Sequence, residues 1–284
     1  MKIVRDPLQM QSMALEYRRK GIHLGLVPTM GFLHEGHLSL VRIAREHADE
    51  VVLSLFVNPT QFGPNEDLDR YPSNTDRDLA LCKEEGVSVV FMPNAGDVYA
   101  TDASVYVQEE QLSQGLCGVS RPVHFRGVLT VVAKLFNLVL PHVAVFGEKD
   151  AQQLRLIRRM VRDLNFPVKI LPGPIVREKD GLAMSSRNAN LSAEERVQVL
   201  VLRESLLAVR KATEDGETEV WKLEEIVKSI LQKAPRGQLD YLEFVDNDTM
   251  KAVEQVGERA VLVAMAVQFD GARLIDNVVL DGLS

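Results

Sequence analysis

Over the first two thirds of the chain, short apolar runs rich in β-branched residues alternate with stretches whose apolar positions recur every three or four residues. The runs are GIHLGLVPTM, VVLSLFVNP, VSVVFMP, HVAVFGEKD and VKILPGPIV, and the helical stretches start near Gly36, Asn74, Val128 and Ala151. Such alternation predicts a parallel sheet covered by helices on both faces, an α/β architecture. Within SNTDRDLALCKEEG, Ser73 is a candidate N-cap, Asp76 follows three residues on, and Gly86 is a stop signal.

After Arg187 the texture changes. Residues 191–235 read as two amphipathic helices broken near Glu214 to Glu217, and LDYLEFVDNDT, RAVLVAMAVQF and ARLIDNVVL then read as strands of a small antiparallel sheet. Helices followed by strands predict a separate, smaller α+β domain. In LPGPIV, residues 171–176, Pro172, Gly173 and Pro174 interrupt both periods, which makes this stretch the candidate hinge. The expected boundary therefore divides residues 1–174 from residues 175–284. No internal repeat or low-complexity segment is visible.

Composition adds exclusions. The 284 residues are 46% hydrophobic and 26% charged, as in a soluble globular protein, and no run of 18 or more apolar residues would span a bilayer. The opening MKIVRDPLQMQSMALEYRRKG lacks the apolar core of a secretory signal, so the expected location is cytoplasmic. A formal net charge of −7 argues against nucleic-acid or membrane partners, and any positive field for an anionic ligand must be local. Cys82, in an expected helix, and Cys117, in an expected loop, lack zinc or redox-pair spacing and read as reduced, non-catalytic thiols.

Three stretches carry candidate chemistry. In PTMGFLHEGH, Gly31 and Gly36 bracket a strand-to-helix transition, where backbone N–H groups can point at an anion. His34 and His37 lie three apart on that turn, as neutral donors to phosphate or as ordinary loop histidines. A zinc site needs H-E-x-x-H spacing and a third ligand, so no metal ligands are assigned. In VFGEKDAQQ a second strand leads into a helix, with Lys149 suited to phosphate charge or to a surface ion pair, Asp150 a candidate N-cap, and Gln152 and Gln153 on a polar helix face. In VREKDGLAMSSRN, Ser185, Ser186 and Arg187 offer hydroxyls and a planar cation, or plain turn chemistry after the KDG turn. Two further stretches, FVNPTQFGPNEDLDRYP with Asn58 and Gln61, and RPVHFRGVLTVVAKLFN with Arg121, His124 and Arg126, are candidates for shaping a small acceptor pocket.

Together these motifs resemble a known family. HEGH is similar to the HIGH motif, and MSSR to the degenerate KMSKS counterpart, of the nucleotidyltransferase superfamily shared with class I aminoacyl-tRNA synthetases. The five long motifs in order resemble specifically the pantoate-β-alanine ligase family, along essentially the whole chain. The resemblance implies a Rossmann-like, doubly wound nucleotide- and pantoate-binding domain and a C-terminal lid domain. It implies ATP contacts from Met30, Gly31, Phe32, Leu33, His34, Glu35, Gly36 and His37, from Gly147, Glu148, Lys149 and Asp150, from Val176, and from Met184, Ser185, Ser186 and Arg187. His37, His34, Lys149 and Arg187 would be the catalytic set, and Gln61 and Gln153 would bind pantoate, with Gln61 also near β-alanine. Mg²⁺ would accompany ATP, the intermediate would be pantoyl adenylate, and the oligomer would be a homodimer. The competing readings are a nucleotidyltransferase of another small substrate and a non-catalytic nucleotide-binding module.

Overall fold

The structure is a computed structural model that describes residues 1–64 and 66–281. In chain order the elements are β1 (Lys2–Val4), α1 (Pro7–Arg19), β2 (Leu24–Thr29), α2 (Glu35–His47), β3 (Glu50–Leu55), α3 (Thr75–Glu84), β4 (Val89–Phe91), α4 (Ala95–Val98), α5 (Cys117–Ser120), α6 (His124–Val139), β5 (Val143–Gly147), α7 (Ala151–Asp163) and β6 (Lys169–Gly173). They continue as α8 (Ala193–Gln198), α9 (Val201–Glu214), α10 (Val220–Leu231), β7 (Gln238–Asp246), β8 (Val261–Gln268) and β9 (Arg273–Leu280). Among the described residues no helix is long and apolar enough to cross a membrane.

Two compact units emerge. The first comprises Met1–Glu110, Arg121–Glu148 and Gln153–Ile175; the second comprises Gln111–Ser120, Lys149–Gln152 and the chain from Val176 onward. The sequence boundary after residue 174 did not separate out residues 111–120 and 149–152. The three C-terminal residues of the predicted second domain, 282–284, lie outside the described residues.

In the first unit six parallel strands run in the order β1-β4-β3-β2-β5-β6. Setting aside the short β1, this is the doubly wound order, with the direction of winding reversing between β2 and β5. Leu26, Val27, Val52 and Leu53 are fully buried in the central strands, as expected where helices cover both faces. Gly25 permits α2 to lie close, since a Cβ there would stand 3.1 Å from Ala48 Cβ. Pro28 sits within a central strand yet breaks no ladder: β5 pairs only with Gly25 and Leu26, so the far end of β2 has a partner on one side alone. The same logic applies within the hinge candidate, residues 171–176, inside which the first unit gives way to the second after Ile175. Pro172 and Gly173 belong to β6, an edge strand, where a proline need not donate to a second neighbour.

Other local readings shift by a few residues. Asn74 rather than Ser73 caps α3, its side chain accepting from Arg77 N at 3.2 Å. Helix α6 begins at His124, four residues before the expected Val128, because RPVHFRG enters it directly without a capping side chain. Cys82 is fully buried on α3, and desolvation pushes its thiol up to about 12, which keeps it protonated and unreactive near neutral pH. Cys117 starts a short helix rather than lying in a loop, and its sulfur is 3.3 Å from Tyr241 Oη.

In the second unit β7, β8 and β9 form an antiparallel sheet. Three helices precede it rather than two: α8 opens on a capping box in which Ser192 and Glu195 serve each other's backbone amides, and a turn at Val199 and Leu200 parts it from α9. The predicted break follows Glu214, with Gly216 at a φ of +99° ending α9. On β8, Val261, Val263, Met265 and Val267 pack with the core that contains α9 and α10. Leu262 and Ala264, on the alternate positions, pack instead with Leu116 and Ala151. Apolar cover on both faces explains the unbroken VLVAMAV run, and it explains why residues 111–120 and 149–152 join this unit.

Candidate active site

The turn between β2 and α2 is held open by a carboxylate. Gly31 and Phe32 both adopt left-handed backbone, at φ of +87° and +49°, and this conformation turns the amides of residues 32 and 33 in one direction. The buried Asp78 of α3 accepts both, from Phe32 N at 2.7 Å and Leu33 N at 2.8 Å. Arg77 donates to Leu33 O at 2.8 Å and stands over the Phe32 ring, 5.7 Å from its centre. The amides of Phe32 and Leu33 thus serve Asp78, and the first turn of α2 adds the backbone amides of a helix start, at Glu35 and Gly36. Leu33 itself is a core side chain, fully buried.

His34 is the N-cap position of α2 and His37 lies in its first turn. Their rings are 4.0 Å apart between centres at 31°. His37 Nδ1 accepts from His34 N at 3.4 Å, which assigns the ring proton to Nε2 and leaves that nitrogen as a donor. Glu35 on the same turn pairs with Arg42, whose guanidinium also engages Glu85. Its negative charge is thereby compensated beside the helix start.

Gln61 is buried and held by both ends. Its Oε1 accepts from Asn58 Nδ2 at 3.2 Å, its Nε2 reaches Met30 Sδ at 3.0 Å, and its carbonyl oxygen receives His124 Nδ1 at 3.0 Å and Arg121 Nη2 at 3.4 Å. Asn58 is tied in turn to Gly127 O at 3.1 Å and to Tyr99 Oη at 2.9 Å. Gly127 is required for this approach, because a Cβ there would meet Thr60 O at 2.3 Å and Gln61 Cα at 2.6 Å. Arg121 forms an ion pair with Glu66, so within the suggested acceptor pocket its charge is neutralised. The structure thus joins two of the sequence motifs through Met30 and Gln61, and makes Arg121 and His124 supports of Gln61. Gln153 is half-buried in the first turn of α7, in the same unit.

Gly147 and Glu148 remain in the first unit, and the second holds the other candidates from Lys149 on. Gly147 ends β5, Glu148–Asp150 form a 3-10 turn, and Lys149 Nζ is 4.0 Å from Asp150 Oδ1 with only a fifth of its side chain exposed. Gln152, expected on a polar helix face, is instead buried: it donates to Leu112 O and Gly115 O at 2.9 Å each and accepts from Cys117 N at 3.1 Å. Residues 176–184 form a tight excursion. Met184 N donates to Val176 O at 3.0 Å, Glu178 N donates to Leu182 O at 2.8 Å, and Gly181 at φ +95° makes the turn. Arg196 braces it through Glu178 and Asp180 at 2.7 and 2.6 Å. Ser185 Oγ caps the following 3-10 turn by accepting Arg187 N at 3.3 Å, Ser186 is buried, and Arg187 is half-buried.

Among the described residues no group of three or more His, Cys, Asp or Glu side chains is placed to hold a metal ion. A Mg²⁺ ion that keeps its waters and binds mainly phosphate oxygens needs no such cage, and one carboxylate such as Asp150, about half exposed, fits that demand.

Comparison with known proteins agrees along the whole length. The family model described as pantoate-beta-alanine ligase matches residues 2–279. Pantothenate synthetase of Thermotoga petrophila is 52% identical over 280 residues, covering 99% of this chain and 100% of that protein, and that of Geobacter sulfurreducens is 51% identical over 280 residues, covering 99% of each. The crystal structure of pantothenate synthetase from Thermus thermophilus superposes with a TM-score of 0.90 at 43% identity, covering 98% of this chain and 99% of that one. Pantoate-beta-alanine ligase from Francisella tularensis, complexed with beta-gamma ATP and beta-alanine, gives 0.82 at 33% identity, covering 98% and 97%.

Proposed function

We propose that this chain, which belongs to the pantoate-β-alanine ligase family, condenses pantoate with β-alanine at the expense of ATP, by way of a pantoyl adenylate and with release of AMP and pyrophosphate. The observation that carries the reading is the family match over residues 2–279. Supporting it, HEGH stands at the carboxyl end of β2, beside the strand-order reversal where open α/β sheets bind ligands.

The chemistry asks for no protein nucleophile. A carboxylate is a poor acyl donor, so one pantoate carboxylate oxygen attacks the α-phosphorus of ATP and pyrophosphate departs. The β-alanine amine then attacks the activated carbonyl, the acyl–oxygen bond breaks, and AMP leaves with the electron pair. Mg²⁺ bound with the triphosphate would neutralise part of its charge.

What the chain supplies is alignment and compensating charge. In this reading His37 Nε2–H donates to the phosphate that changes charge and His34 holds the triphosphate. The amides of Glu35 and Gly36 add the positive end of α2. Met30 to His37, Gly147 to Asp150, Val176, and Met184 to Arg187 contact ATP, with Lys149, Ser185 and Arg187 contributing cationic or hydroxyl donors. Gln61 and Gln153 bind the hydroxyl and carboxylate of pantoate. The second unit acts as a lid that shields the adenylate from water, and the protein is a cytoplasmic homodimer. Light scattering on the purified protein tests the dimer. The function is tested by incubating the protein with ATP, pantoate and β-alanine: pantothenate and AMP form together only with all three, and AMP formation independent of the amine would contradict the reading.

A further inference from the structure

In ARLIDNVVL the apolar pattern of β9 is broken by two adjacent polar residues, Asp276 and Asn277, which are nonetheless 2% and 6% exposed. Burying a carboxylate and an amide inside a strand is costly unless each is paired, and both are. Asp276 grips the Arg177 guanidinium with both oxygens, at 2.7 and 2.9 Å, and Arg177 also donates to Gly181 O at 3.1 Å. Asn277 Nδ2 donates to the carbonyl oxygen of Lys149 at 2.9 Å.

Successive strand residues point to opposite faces. Asn277 is paired with Ala264, on the face shared with Ala151, whereas Asp276 is paired with Met265, on the face of the larger core. One dipeptide of a three-stranded sheet therefore grips two separate segments, the turn that carries Lys149 and the excursion that leads into Ser185 and Arg187. Two valines here would cost less to bury, so core stability alone does not call for this pair.

We propose that Asp276 and Asn277 are positioning residues that set the distance between Lys149 and the Val176–Arg187 segment, so that their positive charges meet one polyphosphate in register. The inference rests on the functional reading above. A displacement of about 1 Å in a group that aligns substrate costs on the order of a hundredfold in rate.

A double-mutant cycle with pyrophosphate release from ATP and pantoate as readout separates positioning from general support. Asn277→Ala is expected to lower kcat about tenfold or more when Lys149 is present, and by less than about twofold in the Lys149→Ala background. Equal fold losses in both backgrounds, or full activity of Asn277→Ala, would overturn the role. If Asn277→Ala unfolds at assay temperature, Asn277→Asp keeps the size, removes the donor and repeats the cycle under the same two criteria. Absence of pyrophosphate release by the unaltered protein would instead remove the functional reading on which the role depends.

Discussion

Asp78 accepts the backbone amide of Leu33 at 2.8 Å, across 45 positions of sequence, and so fixes the turn that presents His34 and His37. Because its other oxygen takes Phe32 N, the carboxylate alone satisfies two amides forced together by left-handed backbone. Asp78→Ala leaves these donors unsatisfied at about 1–3 kcal/mol each when buried. The expected outcome is a clearly lower thermal midpoint and a kcat reduced at least about tenfold through misplacement of the histidines. Calorimetry with steady-state kinetics checks both, and a variant with unchanged kcat would separate the anchor from the site.

Gly127→Ala tests the support of Gln61. With its Cβ 2.3 Å from Thr60 O, helix α6 and the Asn58–Gln61 turn must part. Overpacking of this kind costs about 1–3 kcal/mol. The KM for pantoate should rise while that for ATP changes little, as initial-rate kinetics will show.

Lys149→Ala and His34→Ala remove groups assigned to phosphate charge. Each should lower the adenylation rate on the order of a hundredfold or more, since such donors act where charge develops. ATP-pyrophosphate exchange measures this step without β-alanine. Near-full exchange in either variant would sink the assigned role.

Glu195 makes stability depend on acid. Hydrogen bonds from the Ser192 backbone and hydroxyl, with help from Gly271, outweigh desolvation and hold its carboxyl down to about 2 against an ordinary 4.5. Because the folded value is depressed, the stabilisation is complete above about 4.5 and is lost as pH falls through about 2. Glu195→Gln should therefore be less stable than the parent near neutral pH, with the difference closing toward pH 2. Urea unfolding of both proteins across that range gives the comparison.

Much of the fold was legible because the signals were local. Period-2 and period-3.6 patterns located the long strands and helices, and the five motifs identified the family. What escaped depended on distant partners. Nothing around Asp78 in TDRDLAL distinguishes it from Asp76, because its role lies with amides 45 and 46 positions away. Gln152 and Gln153 are adjacent and identical in type, yet Gln152 is a buried clamp on residues 112–117. Pro172 looked like an interruption because sequence does not reveal which strand will lie at a sheet edge. The polar Asp276–Asn277 pair inside an apolar strand was a visible signal that pattern reading passed over.

The central claim, activation of pantoate as an acyl adenylate, is tested most directly by the fate of oxygen. With pantoate labelled with ¹⁸O in both carboxylate oxygens, the account predicts that the AMP released on condensation with β-alanine carries one ¹⁸O and pyrophosphate none. Label in inorganic phosphate or pyrophosphate, with AMP unlabelled, would contradict it.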